Sequence, residues 1–128
     1  MTYNELSSRI IGAAIDVHRE LGPGLIESVY ERCLVHLLRE TGLHVETQVP
    51  VPIVFRGIEL GKPLRLDVIV EHRIIVEVKA IESIPDVHSA RLLSYLRLTN
   101  KKLGLMVNFH QSRLVDGVRR VVNGLDED

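Results

Sequence analysis

At 128 residues the chain is long enough for one domain with its own core and too short for two, so a single domain over 1–128 is expected. An apolar fraction of 45%, a charged fraction of 26% and a net charge of −1 describe an ordinary globular protein, not a uniformly basic nucleic-acid binder or a surface built for anionic membranes. One cysteine, six histidines without H-x-x-x-H spacing, and no targeting peptide or spanning apolar run exclude a disulfide framework, a thiol–zinc cluster and a membrane protein, and the expected location is cytoplasmic.

Residues 2–21 predict the first helix. Thr2 and Glu5 fit a capping box, and Leu6, Ile10, Ala13, Ala14, Val17 and Leu21 recur at helical spacing. Gly22-Pro23-Gly24 ends it, and a second helix runs from about Ile26 to Thr41, stopped by Gly42. His18 is expected as a packed, hydrogen-bonded histidine, and Cys33 as a small core residue, not a nucleophile. Glu27 falls in the first turn of the second helix, where the macrodipole favours a carboxylate by about 0.3–1 kcal/mol. That alone explains a carboxylate there. Tyr30, three residues on, shares its side of the helix.

From 43 to 80 the pattern turns strand-like, with strands expected at 44–55, 58–70 and 74–80 forming an antiparallel meander. Pro50 and Pro52 lack the N–H of a central ladder, so the first strand is expected at an edge. In the last two strands, alternation puts Leu64, Leu66, Val68 and Val70 on one face and Arg65, Asp67 and Ile69 on the other; Ile75, Glu77 and Lys79 likewise share a face. A three-residue loop, Glu71-His72-Arg73, sets Asp67 opposite Glu77, whereas a two-residue turn would slip the register and separate them.

Facing carboxylates repel by about 1 kcal/mol in water and about 4 at a protein-like dielectric. Lys79, Arg65, a shared proton or a bound cation can offset that cost. An Asp and a Glu suit magnesium, which takes carboxylate and water oxygens, and a neighbouring Lys suits a phosphate. A plain salt bridge between Lys79 and one of the acids is the competing reading.

Pro85 opens a third helix over about Asp86–Thr99. Ala90, Leu92, Leu93 and Leu96 are its expected buried side, and His88, Arg91 and Tyr95 form a second stripe, read either as solvated or as part of a site. The near-continuous apolar run LGLMVNF predicts a strand covered on both faces. LVDGVRRVV in the tail fits a short strand or a helix, with Gly117 favouring the strand.

The order helix, helix, three strands, helix, strand, with Asp67 followed by Glu77-Val78-Lys79, resembles the PD-(D/E)XK nuclease superfamily. More narrowly, GPGLIESVY with its Gly24, Glu27 and Tyr30, the RLDVIV strand, VEVKA, HSARLLSYLRLTN and GLMVNF are similar to the GxxExxY family. The resemblance spans about residues 3–123. It implies an α/β restriction-endonuclease-like core, an antiparallel three-stranded meander extended by a further strand, with helices on both faces. It further implies a divalent metal, Mg2+ with Mn2+ as substitute, held by Asp67 and Glu77 and completed by Glu27, with Lys79 assisting the attacking water. Arg91, Tyr95, Tyr30 and His88 are the expected substrate-binding residues; Arg91 stands where members of the superfamily often carry Gln, and Arg holds a phosphate at least as well. The expected activity is metal-dependent phosphodiester hydrolysis of nucleic acid. The alternative is a catalytically silent nuclease-fold protein that binds nucleic acid, a nucleotide or a protein partner. A homodimer is left open.

Overall fold

The capping box forms: the Thr2 hydroxyl accepts from the Glu5 N–H while the Glu5 carboxylate accepts from the Thr2 N–H, starting α1 at Tyr3–Leu21 in this computed structural model, which describes residues 1–126. Gly22 closes the helix with φ +73, its N–H donating to the His18 carbonyl. α2 covers Glu27–Glu40. His18 is bonded as expected, its Nε2 lying 2.7 Å from the Gln111 carbonyl.

The meander is β1 (Val45–Val51), β4 (Leu64–Val70) and β5 (Ile74–Lys79), with β1 at the sheet edge. The two long strands expected at 44–55 and 58–70 are each broken. β1 stops before Pro52, and the chain makes a separate small hairpin of β2 (Val54–Phe55) and β3 (Ile58–Glu59) around Arg56-Gly57 before rejoining the sheet at Leu64. Proline lacks the donor that would continue the ladder. After α3 (Asp86–Thr99), β6 (Leu103–Asn108) pairs parallel to β5, and every one of its residues is buried. The tail is both things its pattern allowed: a 3-10 turn at Leu114–Gly117, then β7 (Val118–Val122), antiparallel to β6. The sheet order is β1-β4-β5-β6-β7, one strand more than the expected meander plus one.

Two apolar clusters sandwich this sheet. Leu6, Ile10, Tyr30, Leu34 and Leu38 of α1 and α2 pack on Val68, Val70, Ile74, Val76, Val78 and Val107. Leu92 and Leu96 of α3 pack on Ile69, Ile75 and Met106 from the other side. Helices therefore cover both faces of a mixed sheet, which is a restriction-endonuclease-like arrangement. Burying this much aliphatic surface is the main stabilising contribution, at roughly 25 cal/mol per Å². Among the described residues, no helix is long and apolar enough to cross a membrane.

Two details depart from simple periodicity. Leu66 packs with Leu92, Leu96 and Ile69 instead of with Val68 and Val70. The β1–β4 ladder is interrupted across Asp67, where Gln48 takes a φ of +50, and the alternation changes phase there. In α3, Ala90 faces solvent, and Leu92 and Leu96 supply the fully buried side.

Candidate functional site

The β4–β5 turn is the three-residue loop 71–73, and the ladder runs Val70↔Ile74, Ile69↔Ile75, Val68↔Val76. Continued by one step, this register sets Asp67 against Glu77, but the backbone pairing stops at Val68↔Val76. The Val78 N–H instead donates to Asp67 Oδ2 at 3.1 Å. The hairpin thus opens where its two acids meet. One carboxylate replaces a strand carbonyl as the partner of β5, which anchors Asp67 at the opening.

A cavity of about 190 Å³ fills that opening, lined by Arg65, Asp67, Glu77, Lys79, His88, Arg91, Leu92, Tyr95 and Met106. α3 supplies His88, Arg91, Leu92 and Tyr95, residues that fall on one helix face at offsets of 0, 3, 4 and 7. The helix sits close because β6 offers no side chain at Gly104: a Cβ there would lie 2.9 Å from the Leu92 side chain. Arg119 of β7 ties down the start of the helix, its Nη2 donating to the Ile84 carbonyl at 2.9 Å.

Glu77 is only 8% exposed, and its Oε1 is buried without any hydrogen-bond partner. Burial, then the hydrogen bond and charge of Asp67, push its carboxyl up to about 9, with Lys79 and Arg91 pulling the other way. At neutral pH this is a carboxylic acid held next to a second carboxyl group. Among the described residues no Lys79 contact within 4.0 Å reaches either acid, so its positive charge acts on Glu77 across a longer gap. Beyond the Lys79 and Arg91 charges, the offsets to the Asp67–Glu77 repulsion are the proton on Glu77 and, when one is bound, a cation. An orphaned buried oxygen beside a second carboxyl is a donor set that fits a hard divalent ion.

The rest of the lining is cationic and polar apart from Leu92 and Met106. His88 Nδ1 is buried and unpartnered, and burial followed by the Arg91, Lys79 and Arg119 charges lowers the His88 pKa, favouring the neutral ring. Burial raises the Tyr95 pKa, so its hydroxyl stays a proton donor. Arg65, Lys79 and Arg91 surround the two acids with positive charge.

Glu27 lies at the rim and does not line the cavity. Its Oε2 accepts from the Ala80 N–H at 3.3 Å, immediately after Lys79. Carboxylates from β4 and α2 therefore hold the backbone on either side of Lys79. Tyr30 does not belong with the substrate-binding residues. It is fully buried, stacked on Phe109 at 4.4 Å and 5°, and its hydroxyl donates to the Gly22 carbonyl while accepting from the Leu25 N–H at 2.9 Å. Its packing on Phe109 draws the ring beneath the sheet, so it braces the Gly-Pro-Gly turn that delivers Glu27.

Two contributors escape a reading by spacing. Glu31, one turn after Glu27, has its pKa raised by burial and by the charges of Asp67 and Glu27, though Gln48 hydrogen-bonds it in the opposite sense. Asn108, a polar residue ending an apolar run, is 1% exposed and pairs with Lys79 across the parallel ladder. Its side chain accepts from the Ile81 and His110 N–H groups and donates to the Ile81 carbonyl at 2.7 Å, fixing the chain just past Lys79. Asn108→Ala strands those backbone groups and is expected to cost about 2–3 kcal/mol in urea unfolding. A loss under about 0.5 kcal/mol would mean the network does not fix this segment.

The family model of the PD-(D/E)XK nuclease superfamily matches residues 4–121. No curated protein and no solved structure matches the chain.

Proposed function

Since the chain belongs to the PD-(D/E)XK nuclease superfamily, we propose that it hydrolyses phosphodiester bonds of nucleic acid with a divalent metal, Mg2+ or Mn2+, held by Asp67 and Glu77. The narrower GxxExxY kinship rests on Gly24, Glu27 and Tyr30. The observation that carries the reading is the buried, unpartnered Glu77 Oε1 beside Asp67 in a cavity that also holds Arg65, Lys79 and Arg91. A site tuned for stability alone would pair or remove such a group.

The metal, when bound, supplies Lewis-acid charge to a phosphoryl oxygen and lowers the pKa of a water. The chain's own side chains do the rest. Lys79, held between the Asp67–Val78 and Glu27–Ala80 bonds, orients a water and offsets negative charge at the scissile phosphate. Arg65 and Arg91 bind phosphate oxygens, with the guanidinium fork favouring two at once. Neutral His88 and Tyr95 donate hydrogen bonds from the α3 side. Glu27, whose Oε2 holds the Ala80 N–H, would add a third carboxylate toward the metal from the rim.

The test is a cleavage assay on labelled single- and double-stranded DNA and RNA, with EDTA, Mg2+ or Mn2+, using wild type and Asp67→Asn. Metal-dependent products from wild type, and on the order of a thousandfold fewer from the variant, are expected. Absence of cleavage across the panel in both metals would overturn the enzymatic reading.

A further inference from the structure

At the far end of the β4–β5 hairpin, about five residues and roughly 15 Å along the strand from Asp67, a second group of ligand-type side chains converges. His44 Nε2 lies 3.4 Å from Glu46 Oε1, and His72 Nδ1 lies 3.1 Å from the same oxygen. The two imidazoles stack at 4.4 Å and 23°, and one ligand atom from each of the three residues falls within a 4.8 Å group. His44 and Glu46 flank Val45, where β1 begins; His72 sits in the β4–β5 turn. The β1–β4 register brings the two segments together.

We propose that His44, Glu46 and His72 form a transition-metal site, separate from the carboxylate cavity, that takes Zn2+ or a similar borderline divalent ion. Bond lengths of 2.0–2.1 Å to nitrogen and oxygen imply ligand–ligand edges of about 3.4 Å in a tetrahedral shell. The two His–Glu separations, 3.4 and 3.1 Å, lie within about 0.3 Å of that edge. Two imidazoles with one carboxylate select zinc, cobalt, nickel or copper over magnesium, which prefers oxygen ligands throughout. The partial exposure of all three residues leaves the fourth position to water.

The turn is held in a conformation that ordinary residues seldom adopt. Glu71 and His72 have φ of +53 and +56. Three bonds hold them there: the His44 N–H to Glu71 Oε2 at 2.6 Å, the Glu71 N–H to the His44 carbonyl at 2.8 Å, and Lys101 Nζ to the His72 carbonyl at 2.8 Å. That framework aims the His72 ring at Glu46 before any ion arrives, so little ordering remains on binding. A bound ion fastens the edge strand β1 to the turn.

The experiment is calorimetric titration of tag-free protein with Zn2+ in excess Mg2+, paired with the visible spectrum of the Co2+ form. One Zn2+ per chain and a tetrahedral Co2+ spectrum are expected. His72→Gln and Glu46→Gln, at exposed or half-exposed positions, should each weaken binding by about tenfold or more, with unchanged circular dichroism showing that the fold persists. Asp67→Asn with Glu77→Gln should leave Zn2+ binding in place. Zn2+ affinity unchanged in His72→Gln, Zn2+ binding lost in the Asp67/Glu77 variant, or no binding by wild type would each overturn the site.

Discussion

Glu77→Gln is expected to melt higher than wild type in metal-free buffer at pH 7, and the gap should widen toward pH 9. The folded-state pKa of Glu77 is about 9, against an ordinary value of 4.5. Below 4.5 both folded and unfolded chains hold the proton, and the native state keeps its full stability. Between 4.5 and 9 the unfolded chain releases the proton while the folded chain retains it, so stability falls by about 1.4 kcal/mol per pH unit and levels off above 9. At pH 7 the accumulated loss approaches about 3 kcal/mol, which for a chain of this size is roughly 10 °C of Tm. Glutamine is neutral throughout and shows no such slope. Added Mg2+ or Mn2+ should stabilise wild type by mass action and leave Glu77→Gln nearly unmoved. Metal binding should also release a proton, visible as a buffer-dependent heat. Parallel pH–Tm curves for the two proteins in EDTA would show that Glu77 is not the neutral, buried acid described here.

The register of that acid was legible because a strand has period two. Once the Glu71-His72-Arg73 loop is accepted, the pairing that sets Asp67 against Glu77 follows by counting. The opening of the hairpin at the same point was not legible, since it depends on Asp67 taking the Val78 N–H and on Gln48 turning to a φ of +50 across the ladder. Neither event has a local signature. Helical spacing put Tyr30 on the side of Glu27 but said nothing of Phe109, which lies 79 residues further on and draws the ring into the core. For α3 the stripe His88, Arg91, Tyr95 was visible, while its closeness to the sheet comes from Gly104, a residue of another element. The His44, Glu46 and His72 group was invisible for the same reason: one segment supplies only His44 and Glu46, and the β1–β4 register is what brings His72 to them. Asn108 did carry a signal, a lone polar side chain ending an apolar run, whose meaning appears only when the parallel partner is known to be Lys79.

Steady-state kinetics on a set of single substitutions should sort the cavity residues by role. Asp67→Asn and Glu77→Gln are each expected to lower kcat on the order of a thousandfold, equivalent to about 4 kcal/mol of barrier, because each weakens the cation's hold on the scissile phosphate. Lys79→Ala should lower kcat by about a hundredfold or more while metal affinity stays close to wild type, the pattern of a group acting on water and phosphate. Glu27→Gln should fall between wild type and Lys79→Ala: its carboxylate holds the Ala80 N–H from the rim, and an amide oxygen keeps part of that bond. Arg91→Ala should raise KM by about tenfold with a smaller change in kcat, as expected when a phosphate away from the reacting bond loses its partner. Tyr30→Phe should behave unlike all of these. It leaves the Leu25 N–H without its acceptor and should cost about 1 kcal/mol of stability, yet turnover at a temperature well below Tm should stay near wild type. A nuclease-fold binding module gives a different table: no variant turns over substrate, Lys79→Ala and Arg91→Ala weaken nucleic-acid binding, and Asp67→Asn tightens it by removing negative charge. Tighter binding by Asp67→Asn occurs under both readings, so the deciding measurement is turnover. A kcat for both Asp67→Asn and Glu77→Gln within about tenfold of an active wild type would remove the two carboxylates from the chemistry and move the search to the cations alone.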